Sequence, residues 1–223
     1  SSQSPTLAAE EVARRLGEEV SPPPERRPVS ELFRRYRRET LMLWIHWFCI
    51  VMAYWGVFLW FPRVLYDRGI SLVRSLQYSV LVTLAQLPGY WSAAWAVEGV
   101  GRKRTLSLYM GLAGLGCLWY WYASTEVEAV AGALVLSFFN LGAWAVTYAY
   151  TPELYPTEFR ATGAGAANSF GRLGGVVGPL LVGVVLDLTG SPQAAFLIFA
   201  LAHWVSAAAV AALGRETAGR ELE

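Results

Sequence analysis

The chain has 223 residues, 55% hydrophobic and only 16% charged, whereas an ordinary soluble domain has roughly 25% charged residues. Its 18 basic and 17 acidic residues nearly cancel, so bulk charge does not point to nucleic acid. Between residues 41 and 213 the charges keep to short breaks, with one exception at Arg172. Cys49 and Cys117 both sit in apolar runs, which speaks against a disulfide framework or a metal site, and no cofactor is expected.

Residues 1–40 differ in character from residues 41–213. Residues 6–20 suit a short helix with Leu7, Val12 and Leu16 on one side, either a surface helix or a solvated linker. Ser21-Pro22-Pro23-Pro24 ends it. Ser30 is expected to cap a second helix carrying Leu32, Phe33 and Tyr36. Arg34, Arg35, Arg37 and Arg38 flank that apolar strip, the pattern of a helix lying on an anionic cytoplasmic surface.

Six apolar stretches come next along the chain, at about 41–61, 75–97, 105–123, 129–150, 163–186 and 194–213. Crossing a hydrocarbon core of ~30 Å takes ~20 helical residues. The runs are too long and too uniformly apolar for barrel strands. Lipid offers no partner to free backbone groups, so each run is expected to be a helix. These runs begin forty residues in and recur, which the apolar run of a cleavable signal peptide would not do. Pro62, Pro152, Pro156 and Pro192 are expected to mark the edges of short connections. The predicted fold class is therefore an all-α membrane protein: a cytoplasmic linker at 1–40, six transmembrane helices within 41–213, and a tail at 214–223.

With both termini inside, the cytoplasmic side collects Arg34, Arg35, Arg37, Arg38, Arg102, Lys103, Arg104, Arg160, Arg215 and Arg220, against Arg63, Arg68 and Arg74 outside. The positive-inside rule selects that orientation. Trp119-Tyr120-Trp121-Tyr122 then closes the third span as an interfacial aromatic belt.

Three motifs fall on the predicted cytoplasmic side. Glu98-Gly99-Val100-Gly101-Arg102-Lys103 lies between the second and third spans. Thr151-Pro152-Glu153-Leu154-Tyr155-Pro156-Thr157-Glu158-Phe159-Arg160, then Ala161-Thr162-Gly163-Ala164-Gly165, lies between the fourth and fifth. Arg215-Glu216-Thr217-Ala218-Gly219-Arg220 lies in the tail. In this order they resemble the second-half signatures of the major facilitator superfamily: DxxGRR/K, PExxPTxxRxxGxG and PETxGR. The tail departs from its pattern, with Arg215 where Pro is usual. The run from Phe138 to Thr157, with Gln86-Leu87-Pro88-Gly89-Tyr90 and Phe170-Gly171-Arg172-Leu173-Gly174-Gly175, resembles bacterial metabolite:proton symporters of the niacin and aromatic-acid type, akin to organic anion and cation transporters.

That resemblance implies twelve spans in two halves with the substrate held between them. This chain reads as the carboxy-terminal half, a fragment or one chain of a split transporter in a bacterial inner membrane. Its implied partners are an amino-terminal six-helix half, a small organic anion, a proton and the lipid bilayer. No Asp or Glu falls deep in these spans, so a coupling carboxylate is expected in the other half.

Arg172 lies twelve residues beyond Arg160, about 18 Å along a helix. A guanidinium cannot shed its proton to escape the membrane. It therefore contacts either a substrate anion or a carboxylate of the other half; the resemblance favours the anion. Tyr54 and Trp55 resemble an aromatic pair flanking the substrate, although this first span holds many other aromatic residues that pack or face lipid. Tyr90, and Gln86 one turn before it, are further binding candidates. So are Phe139, Asn140 and Asn168. Asn140 is equally explained by interhelical hydrogen bonding. His46 reads as a satisfied or snorkelling side chain. Gly171 with Gly175, and Gly174 with Gly178, are spaced for close helix contact, and Pro179 for a kink. Glu98, Arg102, Lys103, Glu153 and Arg160 are expected as gating charges at the cytoplasmic helix ends.

No HExxH, GxSxG or phosphate-cradling loop occurs, so an enzyme finds no support. A carrier of a sugar or another neutral or cationic metabolite, or a non-transporting membrane assembly module, remains an alternative.

Overall fold

The computed structural model describes residues 28–219, and every regular element among them is a helix. The segment predicted at 6–20, and Arg220, lie outside the described residues. The helices are α1 (Val29–Arg35), α2 (Arg37–Asp67), α3 (Leu72–Leu84), α4 (Gln86–Val100), α5 (Arg102–Tyr122), α6 (Glu126–Glu153), α7 (Thr157–Thr189) and α8 (Ala195–Leu213), with a 3-10 turn at Pro192–Ala194 before α8. Four segments are long and apolar enough to cross a membrane: α2, α6, α7, and α8 with its preceding turn.

The second predicted span is two helices that meet at Ala85. Pro88 explains the break. It has no N–H to give the Leu84 carbonyl, and its ring crowds that oxygen. The third span, α5, is 21 residues long, but Gly, Ser, Trp and Tyr dilute its apolar character. Pro62 does not end the first span: α2 runs through it to Asp67, with Val64 and Leu65 buried beyond it. Pro156, by contrast, stands at the N-cap of α7.

Ser30 is not a cap either. It lies inside α1, whose N-cap is Pro28. The apolar strip of α1 turns to protein: Leu32 is fully buried, and Tyr36 meets Tyr155 and Phe159 edge-on or tilted. The predicted aromatic belt also splits. Tyr122 is exposed, but Tyr120 is fully buried and stacks on Phe196 at 4.1 Å.

α2 packs along α7 on one side and α8 on the other, α5 lies between α6 and α8, and α4 leans on α6. The α2–α7 contact results from small residues. A Cβ at Gly174 or Gly178 would collide with the carbonyl oxygen of Phe48 or Met52 on α2, and one at Gly171 would stand 3.1 Å from the Trp47 carbonyl oxygen. α7 therefore rides on the α2 backbone, while it makes few contacts with α6 and α8.

Two interior histidines are paired across helices. His46 of α2 bonds Ser206 of α8 through Nδ1 at 2.6 Å and Thr147 of α6 through Nε2 at 2.7 Å. Thr147 donates onward to the Ala143 carbonyl, so its oxygen accepts from His46 Nε2–H, and Ser206 then donates to Nδ1. His203 Nδ1 lies 2.7 Å from the Phe199 carbonyl and must donate to it, which leaves Nε2 to accept from Asn140 at 2.8 Å.

Candidate functional site

Because α7 runs along α2 and stands off α6, a cavity of about 350 Å³ opens between the three. α2 contributes Trp47, Val51 and Trp55, successive residues on one i, i+4 row. α6 contributes Trp144 and Tyr148 by the same spacing, and α7 supplies Asn168, Arg172 and Gly175. A second cavity of about 470 Å³ shares Trp47, Tyr148, Asn168 and Arg172, and extends along α7 to Ala164 and Gly165 beside Thr151, Pro152 and Ser169. A concave apolar site with a few polar groups is the usual form of a small-molecule site.

The aromatic wall is internally braced. Trp47 stands edge-on to Trp144 (5.7 Å, 85°) and to Tyr148 (5.3 Å, 82°). Its indole N–H donates to Thr151 Oγ1 at 3.0 Å, and Thr151 in turn donates to the Thr147 carbonyl. Facing this wall, Arg172 is exposed and forms no ion pair with any described residue. A guanidinium offers five donors in a planar fork that matches a carboxylate, and the rings beside it offer faces to a flat apolar body.

Of the residues singled out in the sequence, Arg172, Asn168 and Trp55 line this cavity. Tyr54 is half-buried behind it, edge-on to Trp55 and Trp144. Tyr90 is exposed on α4, within electrostatic reach of the Tyr54 and Tyr148 hydroxyls. Gln86 is half-buried in the first turn of α4 and is not part of the lining. Phe139 packs edge-on to Tyr109 at 5.2 Å. Asn140 is fully buried on His203, facing α8 instead of α7, so it takes the interhelical role and does not reach the cavity. Sequence reasoning missed Trp47, Val51, Trp144, Tyr148 and Gly175. The period-four aromatic rows were the available signal, but nothing in the sequence says which row turns toward α7.

The predicted gating charges gather at one end of the bundle, joined there by the tail. Arg102 pairs with Glu153 at 3.2 Å, and Thr217 donates to Glu153 at 2.5 Å. Glu216 Oε1 accepts four backbone N–H groups, those of Arg102 (2.8 Å), Lys103 (3.4 Å), Thr217 (3.1 Å) and Ala218 (3.3 Å). It thus closes the free N-terminus of α5. Burial opposes ionisation of Glu216, but those backbone donors outweigh it and hold the carboxyl below its ordinary range. Gly101, at φ +97°, makes room: a Cβ there would stand 2.6 Å from the Glu216 carboxyl carbon. Arg215, the departure from the tail motif, donates to the Leu154 carbonyl at the end of α6 at 2.6 Å, where a cation complements the helix dipole. Arg160 is half-buried near the start of α7. Glu98 is exposed at the end of α4 and has no ion-pair partner among the described residues.

Long apolar helices, histidines paired between them, and a cavity that sets a cation against aromatic rings are the features of an integral membrane protein of the carrier class. The sequence profile described as Major Facilitator Superfamily matches residues 79–222. This chain belongs to that superfamily, whose members move solutes without chemically converting them. It is 50% identical over 191 residues to a protein of Bacillus subtilis (strain 168) provisionally named niacin/nicotinamide transporter NiaP, a match covering 85% of this chain and 48% of that one. It is 44% identical over 189 residues to the niacin transporter NiaP of Acinetobacter baylyi (85% of this chain, 43% of that one). It is 31% identical over 189 residues to a gallate transporter of Pseudomonas putida (84% and 42%). The chain thus spans a little under half the length of these relatives. The crystal structure of the transporter FucP in its outward conformation superposes with a TM-score of 0.70 at 19% identity, over 82% of this chain and 44% of that one, a likeness of fold.

Proposed function

We propose that this chain forms the carboxy-terminal half of a secondary transporter that carries a small aromatic carboxylate, niacin-like, across a bacterial inner membrane by alternating access. In this reading all six predicted spans cross the membrane and both termini are cytoplasmic. An amino-terminal half closes the cavity from the opposite side. The exposed apolar residues of α3, α4 and α7, among them Leu76, Trp91, Val176 and Leu180, then meet lipid and that half. No Asp or Glu among the described residues lines the cavity, so proton coupling is assigned to a carboxylate of the amino-terminal half.

The observation that supports the reading best is Arg172. It presents an unpaired guanidinium, among the described residues, to a wall of Trp47, Trp55, Trp144 and Tyr148. Niacin and gallate, named for the relatives, are both ring carboxylates. The carboxylate would take the guanidinium fork and the ring the aromatic wall. The membrane-end cluster of Arg102, Glu153, Thr217 and Glu216 is assigned to one access state, to be broken in the other.

The test is uptake of labelled nicotinate and benzoate by cells producing this chain together with an amino-terminal six-helix half. A charge-assisted hydrogen bond is worth about 1.5–3 kcal/mol, so Arg172→Ala should lower uptake at least ~10-fold with membrane insertion unchanged. Normal uptake by that variant overturns the assignment.

A further inference from the structure

Four arginines meet where α1 turns into α2, and the transport cavity uses none of them. Arg34 and Arg35 close α1, Arg37 and Arg38 open α2, and all four are exposed. Tyr36, at φ −127° and ψ 40°, breaks the helix between the two pairs, which gathers them at one corner. α1 cannot hold to lipid by its apolar strip, because that strip is spent on protein. Leu32 is fully buried, Phe33 stands edge-on to Trp44 at 4.9 Å, and Trp44 stacks on Phe170 of α7 at 4.4 Å. Two of the arginines are engaged in the same seat. Arg38 donates to the Ala212 carbonyl near the end of α8 at 2.8 Å, and the Arg35 guanidinium lies 5.9 Å from the centre of the Phe159 ring. Arg34 and Arg37 form no ion pair with any described residue, although Glu31 and Glu39 belong to the same two helices. Residues 40–62 of α2 carry no Asp, Glu, Lys or Arg and span about 34 Å of helix, close to a hydrocarbon core of ~30 Å. The arginine corner therefore falls at headgroup depth, with Leu41 exposed one turn further in.

We propose that this corner binds the phosphate headgroup of an anionic phospholipid, with Arg34 and Arg37 as its principal contacts. A guanidinium fork matches phosphate oxygens two at a time, and these two have no competing carboxylate among the described residues. Position selects a lipid over a soluble anion, because Leu41 offers apolar surface to an acyl chain directly beneath the charges. Each basic side chain near an anionic membrane surface strengthens binding about 5-fold. A lipid held here ties the α1–α2 corner to the bilayer surface, and through Trp44 it steadies the Phe170 turn of α7. The inference makes no use of the transport cavity and is tested apart from it.

Native mass spectrometry tests it on the chain purified in mild detergent together with an amino-terminal half. Phosphatidylglycerol and phosphatidylcholine are offered in equal amounts, and the parent should retain phosphatidylglycerol preferentially. Arg34→Gln should weaken that binding about 5-fold, and Arg34→Gln/Arg37→Gln at least ~10-fold, with phosphatidylcholine binding unchanged. Arg34→Lys/Arg37→Lys keeps the charge and should stay within about 3-fold of the parent. Arg63→Gln, exposed toward the other end of α2 and paired with Asp67, is the control and should change nothing. Equal retention of the two lipids by the parent, or undiminished phosphatidylglycerol binding in the double glutamine variant, overturns the inference. So does a lysine variant that loses as much binding as the glutamine one. Inorganic phosphate that displaces the lipid at equal concentration overturns it in favour of a soluble-anion site. If the double glutamine variant does not fold, the single Arg34→Gln variant decides.

Discussion

At the scale of single residues, the cost of a charge in hydrocarbon organises the site. A guanidinium placed centrally in a spanning helix costs about 2.5–3.5 kcal/mol on insertion scales, so Arg172 must face something other than lipid tails. It lines a cavity whose other walls are largely aromatic. The glycines beside it show how much one carbon can matter. At Gly174 an added methyl collides with the Phe48 carbonyl, and a helix backbone cannot move aside as a side chain can. Gly174→Ala is expected to lower stability by about 1–3 kcal/mol, as overpacking does, read as a fall in the thermal midpoint in detergent micelles. An unchanged midpoint would mean that α7 does not ride on α2 as closely as described. Arg172 was legible in the sequence because a lone charge in an apolar run has few explanations. Asn140 was not, because spacing along α6 cannot say whether its face turns to α7 or to α8. The structure turns it to His203 on α8.

Among the elements, the instructive case is the junction of α4, α5, α6 and the tail. Gly101 adopts φ +97°, and the space it leaves admits the Glu216 carboxylate to the first N–H groups of α5. Four backbone donors hold the Glu216 carboxyl below the ordinary glutamate range. A group whose folded-state pKa is depressed contributes stability in full above its unfolded pKa, and loses it as pH falls through the folded value. Docking of the tail should therefore be complete at neutral pH and fail only below the ordinary glutamate range. Hydrogen exchange at the Arg102 and Lys103 amides would show it: slow at pH 7, and faster at pH 7 in Glu216→Ala. Equal exchange in the variant would mean that the tail does not cap α5. The motifs located all these residues in the sequence, but they did not show that the tail folds back onto the first loop.

In the molecule as a whole, α2 is the axis, with α7 on one flank and α8 on the other. His46 ties this axis inward through bonds to Ser206 on α8 and Thr147 on α6. Interhelical hydrogen bonds in membranes average only about 0.6 kcal/mol each, up to about 1.7. His46→Ala should therefore cost about 1–3 kcal/mol in all, measurable as reduced thermal stability, with Arg172 left in place. A variant as stable as the parent would show that the two bonds are dispensable.

The sequence by itself determined the all-helical membrane class, the superfamily and the charged motifs, and it marked Arg172 as a charge that cannot face lipid. Each of these rests on local chemistry: a run of apolar residues, a spacing, or a charge that lipid cannot accommodate. Only the tertiary structure decided that Pro88 divides the second predicted span, that the α1 strip and Tyr120 face protein, and which aromatic rows meet Arg172. Those outcomes depend on helix rotation and separation. Glycines pressed on a neighbouring backbone and hydrogen bonds between distant helices set them; the glycine spacing is visible in the chain, but the helix it meets is not.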